Sequence, residues 1–440
     1  MEIFYQILTY VNFFFICLAS IGFLFQLMFI FFAWLKPRKY KKATKQARFA
    51  IAIPAHDEAD VIERTIRQIV DKQTYPRDKY DIFVCAHNCS DDTAKIAKAN
   101  GATVFIFNDT DPKHRMRSYA VKNLTDNIMS LEEKYDAIIY FDADNILKED
   151  YIEKVNDAFE CGVQIARGYE YSSNLKQNNW TKVSGTYYIR DSRIASNFRE
   201  RAGLDSMLCG PGMLVATQVF KEIGTWDAMS ASEDVDFTLN RMCEKRRIHY
   251  IPDAIIYEDQ PSTFKDTFNR LTRMGHGLNS LFWKKGFKFL GKFFTTGRFS
   301  YIDLFMQLAF IPISLICCVW FPTYYIFYCI VHLINALGPA VFTPEFFSAA
   351  SSASELINLA YMVLYVLVCY YLIYTFQTGL AVWLDKKKLG LTSLKGVRSG
   401  IFLSAGFMII YAIGISVGIC SKQQRKKINR NTKIDEGLIK

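Results

Sequence analysis

The stretch Asp136-Ala137-Ile138-Ile139-Tyr140-Phe141-Asp142-Ala143-Asp144 decides the fold of this chain. An apolar, β-rich run ends abruptly in two carboxylates two residues apart. Three runs of the same kind precede it, at residues 50–55, 81–86 and 102–107. Helical patterns lie between the runs, at about 58–71, 91–100 and 116–134. Near-continuous apolar strands alternating with helices predict a mostly parallel sheet covered on both faces, an α/β fold. In such sheets ligands sit outside the carboxyl ends of the strands. The run ends are polar where that rule needs them to be: His56-Asp57-Glu58, His87-Asn88 and Asp142-Ala143-Asp144.

Outward from this domain the composition changes. The chain has 440 residues, 51% of them hydrophobic, with a mean hydropathy of only +0.06. That mean hides a segregation: residues 8–35 and 301–420 are apolar, and 36–300 reads as soluble protein. The first apolar run is uncharged over roughly 28 residues, more than the ~20 that cross a bilayer core. It lacks the basic start and small-residue cleavage site of a secretory signal, so an uncleaved anchor is expected. Lys36, Arg38, Lys39, Lys41, Lys42, Lys45 and Arg48 follow it, which predicts a cytosolic domain. The net charge of +10 lies mostly at membrane edges. Anionic lipid headgroups are the expected partner, and nucleic acid is not. The Cys85/Cys89 pair has no second pair at zinc-site spacing, so neither a metal site nor a disulfide framework is expected.

The expected organisation is a transmembrane helix at 1–35, a basic linker at 36–48, and a catalytic domain at 49–262. Amphipathic interface helices follow at 263–300, then a transmembrane bundle at 301–420 and a basic tail at 421–440. The basic, aromatic stretch 264–298 suits a headgroup plane, or else a solvated helix with a core-facing stripe. Apolar runs at 303–338, 355–384 and 399–420 supply the bundle, with Phe321-Pro322 a candidate turn or kink. The basic segments 386–398 and 422–430 both favour the cytosol, yet one spanning-length run separates them. Either that run is re-entrant or one segment breaks the rule.

Three motifs carry chemistry. Asp142 and Asp144 could share a hard divalent ion with a pyrophosphate, since Mg²⁺ or Mn²⁺ takes one or two carboxylates and leaves its other positions to phosphate and water. The bland alternative is a helix cap for a segment starting near Lys148. Ser232-Glu233-Asp234 precedes the apolar positions Val235, Phe237, Leu239 and Met242. It reads as a helix start with acids in its first turn, or as a carboxylate base for a hydroxyl acceptor. Arg270 and Arg273, one helical turn apart, could face a diphosphate leaving group.

In their order these stretches resemble the family 2 glycosyltransferases with a GT-A-like fold, particularly the membrane synthases related to cellulose, hyaluronan and chitin-oligosaccharide synthases. The resemblance covers about 49–281. Ile53-Pro54-Ala55-His56-Asp57-Glu58 is similar to the opening strand motif, and His87-Asn88-Cys89-Ser90-Asp91-Asp92-Thr93 to the nucleotide motif. Asp142-Ala143-Asp144 matches the metal motif, Cys209-Gly210-Pro211-Gly212 the acceptor-side loop, and Ser232-Glu233-Asp234 the element whose Asp is the base. The resemblance implies a UDP-sugar donor (UDP-glucose or UDP-GlcNAc), Mg²⁺ or Mn²⁺ at Asp144 with Asp142, and Asp234 as base beside Glu233. Arg270 and Arg273 would assist diphosphate departure, with Gly210 and Met274 on the acceptor side. Three positions in two motifs depart from the pattern, Arg270 standing where processive relatives carry a Gln. His87 replaces an Asp, so uracil contacts are expected to shift to Asp57, Glu58 or His87 itself. Met274 replaces the Trp that stacks on the terminal acceptor sugar in processive relatives. The leading expectation is an inverting plasma-membrane synthase that extends and translocates a growing β-linked glycan. The alternatives are a transferase adding one sugar to a lipid-linked acceptor, and an inactive membrane scaffold.

Overall fold

A computed structural model of the protein describes residues 2–337 and 349–421. The expected basic tail lies outside the described residues except for Ser421, as does the last residue of the run 303–338. Helix α1 (Glu2–Phe31) leads into β1 (Phe49–Ala55), α2 (Ala59–Lys72), β2 (Tyr80–His87), α3 (Thr93–Ala99), β3 (Thr103–Phe107), α4 (Arg117–Ser130) and β4 (Ala137–Tyr140). Then come β5 (Ile146–Leu147), α5 (Tyr151–Glu160), β6 (Ile165–Ser172), α6 (Asn179–Arg190), α7 (Asn197–Ala202), β7 (Met213–Ala216), α8 (Thr217–Ile223), α9 (Glu233–Cys243) and β8 (His249–Glu258). The strands form one sheet in the order β3-β2-β1-β4-β7-β6-β8-β5. The four amino-terminal strands pair in parallel, and so do β6 and β8. Strand β7 runs antiparallel to β4 and β6, and β5 to β8. The sheet is therefore mixed but mostly parallel, as a GT-A-like fold requires.

The sequence of β1, Phe-Ala-Ile-Ala-Ile-Pro-Ala, is buried along its whole length. Successive side chains of a strand point to opposite faces. Ile51 and Ile53 pack with Ile62, Ile66 and Ile69 of α2, while Ala50 and Ala52 pack with Ala120, Val121 and Leu124 of α4. Each large aliphatic side chain buried in this way contributes about 1.5–3 kcal/mol. The carboxylates Asp142 and Asp144 do not cap a helix. Strand β5 follows them, and the next helix starts only at Tyr151.

After the sheet come α10 (Phe264–Leu281), a π-helical turn (Phe282–Gly286), α11 (Phe287–Thr296), α12 (Phe299–Leu337), α13 (Ala349–Asp385), α14 (Arg398–Phe402) and α15 (Ser404–Cys420). Among the described residues three helices, α1, α12 and α13, are long and apolar enough to cross a membrane. A fourth is counted if Leu394–Phe402 and Ser404–Cys420, bent by 50°, form one span. Of the turn or kink expected at Phe321-Pro322, no turn forms: α12 continues through both Pro312 and Pro322. A proline removes one N–H from a helix, and within a packed bundle neighbouring helices and hydroxyls can re-satisfy the freed backbone groups. Along the π-helical turn and α11, Phe282 and Phe289 are buried whereas Trp283, Phe287 and Phe294 are exposed.

The α/β domain is seated on the long helices. Its core runs without a break into Tyr301, Leu304 and Leu308 of α12. Two buried carboxylates fasten the seat. Asp303 of α12 accepts from Arg199 Nε at 2.8 Å and Nη2 at 3.1 Å. Asp385 of α13 accepts from Tyr169 Oη at 2.9 Å and pairs with Arg193 at 3.3 Å. Helix α10 touches α15 backbone to backbone: a Cβ on Gly275 would lie 2.3 Å from the Ile415 carbonyl, and one on Gly418 2.3 Å from that of Thr272. This contact fixes the height of Arg270 and Arg273 above the sheet.

Candidate active site

Strands β1 and β2 end side by side, and side chains shape the turns beyond them. Asp57 and Asn88 adopt left-handed backbone conformations, φ +53° and +51°, a strain of about 1–3 kcal/mol each in a non-glycine residue. The Asp57 carboxylate accepts from Ser90 N at 2.6 Å, and the Asn88 side chain from Asp109 N at 2.7 Å. His56 Nδ1 donates to the His87 carbonyl at 2.8 Å, and the buried His87 ring stacks on Phe107. Asp91 accepts from Thr93 N at 3.0 Å and Ala59 N at 3.1 Å. It braces the loop and does not line the cavity that Asp57, Glu58 and His87 line. Asp57, Cys89 and Asp91 bring ligand atoms within 4.8 Å of one another. Their carboxylates already serve backbone N–H groups, so this cluster is a turn brace.

At the end of β4, Asp142 meets a residue the sequence motifs did not single out. Arg117, in the first turn of α4, donates from Nε to Asp142 at 2.9 Å and pairs with it again through Nη2 at 2.6 Å. Its Nη1 donates to the buried carboxylate of Glu233 in the first turn of α9. Burial pulls the Arg117 guanidinium down, but Asp142 and Glu233 more than offset this and hold it firmly charged. A cation in a first turn opposes the helix dipole. That local inconsistency was the signal in the sequence. Next to this pair, Asp234 is pushed up to about 7, first by burial and then by the charge of Glu233. Asp144 is buried in the same wall.

The two arginines of α10 part company. Arg270 donates to Glu258 at 2.8 Å and to Tyr188 Oη at 2.8 Å. Arg273 makes no ion pair among the described residues. Burial, then the charge of Arg270, pull it down, while Asp142 and Glu233 pull it up. Of the expected pair, Arg273 is the cation available to a ligand.

The motif acids other than Asp91 and Asp92, with Arg117, Arg270 and Arg273, open into one cavity of about 880 Å³. At one end lie Asp57, Glu58, His87, Asp142, Asp144 and the Gly210 backbone. A Cβ on Gly210 would come 3.7 Å from Asp142, so the loop closes directly over that carboxylate. Glu233, Asp234, Arg270, Arg273 and Met274 line the cavity further on. Its far wall comes from Phe29 of α1, Phe310 of α12, Tyr374 and Gln377 of α13, and Met408 and Tyr411 of α15. Arg167 and Glu170 of β6 also line it, paired at 2.9 Å beside a bulge at Gly168. Their motif-free setting gave the sequence no signal for them.

A mostly parallel mixed sheet with acids massed at its carboxyl edge is the GT-A-like arrangement of sugar-transferring enzymes. A family model described as Glycosyltransferase like family 2 matches residues 47–277, more than half of the chain. The protein belongs to that family and is a glycosyltransferase. It is 25% identical over 316 residues to the "Probable glycosyltransferase YdaM" of Bacillus subtilis, covering 68% of each chain. It is 22% identical over 252 residues to the "Beta-monoglucosyldiacylglycerol synthase" of Trichormus variabilis, covering 55% of this chain and 52% of the relative. Its fold is similar to that of the mannosyltransferase PcManGT from Pyrobaculum calidifontis, solved in complex with GDP-Man and Mn²⁺. The TM-score is 0.51 at 15% identity, over 90% of this chain and 97% of the other.

Proposed function

We propose that this protein is a membrane-embedded inverting glycosyltransferase that moves one sugar from a nucleotide diphosphate donor to a hydroxyl on a lipid-borne acceptor. The observation that carries this reading is the cavity itself. It runs without interruption from the carboxylates at the sheet edge to side chains of α1, α12, α13 and α15. Its volume, about 880 Å³, suits a nucleotide sugar with one acceptor group. The glucolipid synthase among the relatives and Met274 in the place of a stacking Trp favour this acceptor over an extending glycan. The basic residues Lys36 to Arg48 support a cytosolic domain. In intact cells, a membrane-impermeant maleimide should then leave the exposed Cys161 unlabelled.

In this reading the donor lies along the edge formed by Asp57, Glu58 and His87. The acceptor oxygen attacks the anomeric carbon as its proton passes to Asp234, and the bond from that carbon to the diphosphate breaks with inversion. Arg273 faces the departing diphosphate, where a fixed cation counts most as charge develops. Arg117 holds Glu233 and Asp142 in place. Asp142 and Asp144 are hard oxygen donors on one wall and would hold Mg²⁺ or Mn²⁺, the kind of ion present in the PcManGT complex. When bound, the ion neutralises charge on the diphosphate. Purified Asp144→Asn should fall below about a tenth of the parent's rate in either metal, a barrier increase of at least ~1.4 kcal/mol.

The deciding experiment incubates membranes with a panel of radiolabelled UDP- and GDP-sugars and partitions the product. A chloroform-soluble product carrying one sugar agrees with the reading. A long water-soluble or ethanol-insoluble polymer restores the synthase reading in its place.

A further inference from the structure

Six arginines line the cavity: Arg117, Arg167, Arg190, Arg199, Arg270 and Arg273. Four are matched to carboxylates: Arg117 to Asp142 and Glu233, Arg167 to Glu170, Arg199 to Asp303, and Arg270 to Glu258. Arg273 lacks an ion pair and sits among the catalytic carboxylates, where the donor's diphosphate accounts for it. Arg190, the last residue of α6, also has no carboxylate within ion-pair distance among the described residues. The groups that touch it lie on α6, α13 and α15, and none of them is a motif acid.

Those neighbours are specific. The guanidinium stands 5.3 Å from the ring centre of Tyr187 and 5.1 Å from that of Tyr374. Its Nη2 reaches Met408 Sδ at 3.2 Å. Two ring faces and a thioether, a weak acceptor, are poor partners for the five N–H donors of a guanidinium. A half-buried cation so placed is completed by an anion, and the planar fork of arginine matches phosphate oxygens two at a time. Tyr374 lies on α13 and Met408 on α15. A group reaching Arg190 therefore arrives between long apolar helices, where the carrier of that anion is a lipid.

We propose that Arg190, clamped between Tyr187 and Tyr374, is a subsite for a phosphate group borne by the lipid acceptor. This rests on the lipid-acceptor reading above and narrows it to acceptors with an anionic phosphate near the reacting hydroxyl. Neutral glycerolipids lack the group that Arg190 is placed to bind.

The test uses the full-length protein in dodecyl maltoside micelles, which carry no phosphate, titrated with dioleoyl phosphatidate, with dioleoylglycerol and with inorganic phosphate. Binding is read by native mass spectrometry. The parent should bind phosphatidate at least about tenfold more tightly than dioleoylglycerol. Arg190→Gln should lose most of that preference, while UDP or GDP binding at the other end certifies the fold. If Arg190→Gln does not fold, Arg190→Lys takes its place and should weaken phosphatidate without changing dioleoylglycerol. Equal affinity of parent and variant for phosphatidate, or no preference in the parent, overturns the subsite. Inorganic phosphate competing at the same concentration as phosphatidate overturns the lipid assignment. The product partition above separates the two readings. A one-sugar neutral glycolipid sinks this inference alone, whereas an Arg190-dependent polymer, neutral or acidic, sinks the lipid-acceptor reading with it.

Discussion

The two ends of the cavity are built from opposite materials. At the sheet edge, carboxylates dominate: Asp57, Glu58, Asp142, Asp144, Glu233 and Asp234, with Arg117 as the fastening cation. Toward the long helices, arginines and tyrosines dominate, and Glu170 and Glu258 there are already matched to Arg167 and Arg270. A carboxylate-rich wall repels a bare diphosphate and suits one accompanied by a divalent ion. A wall of arginines and aromatic rings suits an anion beside a sugar or an apolar chain. On the function proposed above, this contrast would sort donor and acceptor by charge, with Asp234 and Arg273 between them.

The largest effect that can break this contrast lies at that boundary. Asp234→Asn should leave nucleotide-sugar binding nearly unchanged while transfer falls by roughly 10²–10⁴-fold, the usual scale for a positioned base. Asn also caps a helix well, so a purely local role for Asp234 at the start of α9 predicts near-normal turnover. Next in size is the acid limb. Burial and the charge of Glu233 hold Asp234 at about 7, and a base works only when ionised. Turnover should therefore fall about tenfold per pH unit below that value and level off above it. Arg117 favours the ionised form of Asp234. Arg117→Gln should move the limb to higher pH as well as lowering the rate. A rate loss with an unmoved limb would reduce Arg117 to a scaffold role.

The first four strands were legible because each is buried on both faces and reads as an unbroken apolar run ended by polar residues. The motif acids stood at those ends, and most of them line the cavity. Asp91 shares the nucleotide motif with His87 but does not line the cavity: its oxygens accept from Thr93 N and Ala59 N. Arg117 opens α4 and Arg190 ends α6, at helix termini where an arginine is ordinarily a solvated surface group. Only the tertiary fold brings one against Glu233, 116 residues onward, and the other against helices α13 and α15. The turn expected at Phe321-Pro322 failed for a related reason, since packing can compensate for a proline that local rules treat as a break.

The smallest effect sharpens the contrast within one helix. Arg270 and Arg273 are spaced alike and were assigned one task, yet Arg270 is fastened to Glu258 and Tyr188 while Arg273 has no ion pair among the described residues. Charge-assisted hydrogen bonds of this kind are worth about 1.5–3 kcal/mol. Removing one partner leaves the other desolvated without compensation. Arg270→Gln should therefore lower the thermal unfolding midpoint, and adding Glu258→Gln should recover much of the loss. Arg273→Gln should leave the midpoint unchanged or raise it slightly, because burial and its neighbour Arg270 both oppose its charge. Its cost should appear in turnover instead, from a diphosphate departing without its cation. The double-mutant cycle decides between the roles. A coupling near zero between Arg270 and Glu258, or a stability loss in Arg273→Gln equal to that in Arg270→Gln, would return the two arginines to a single function.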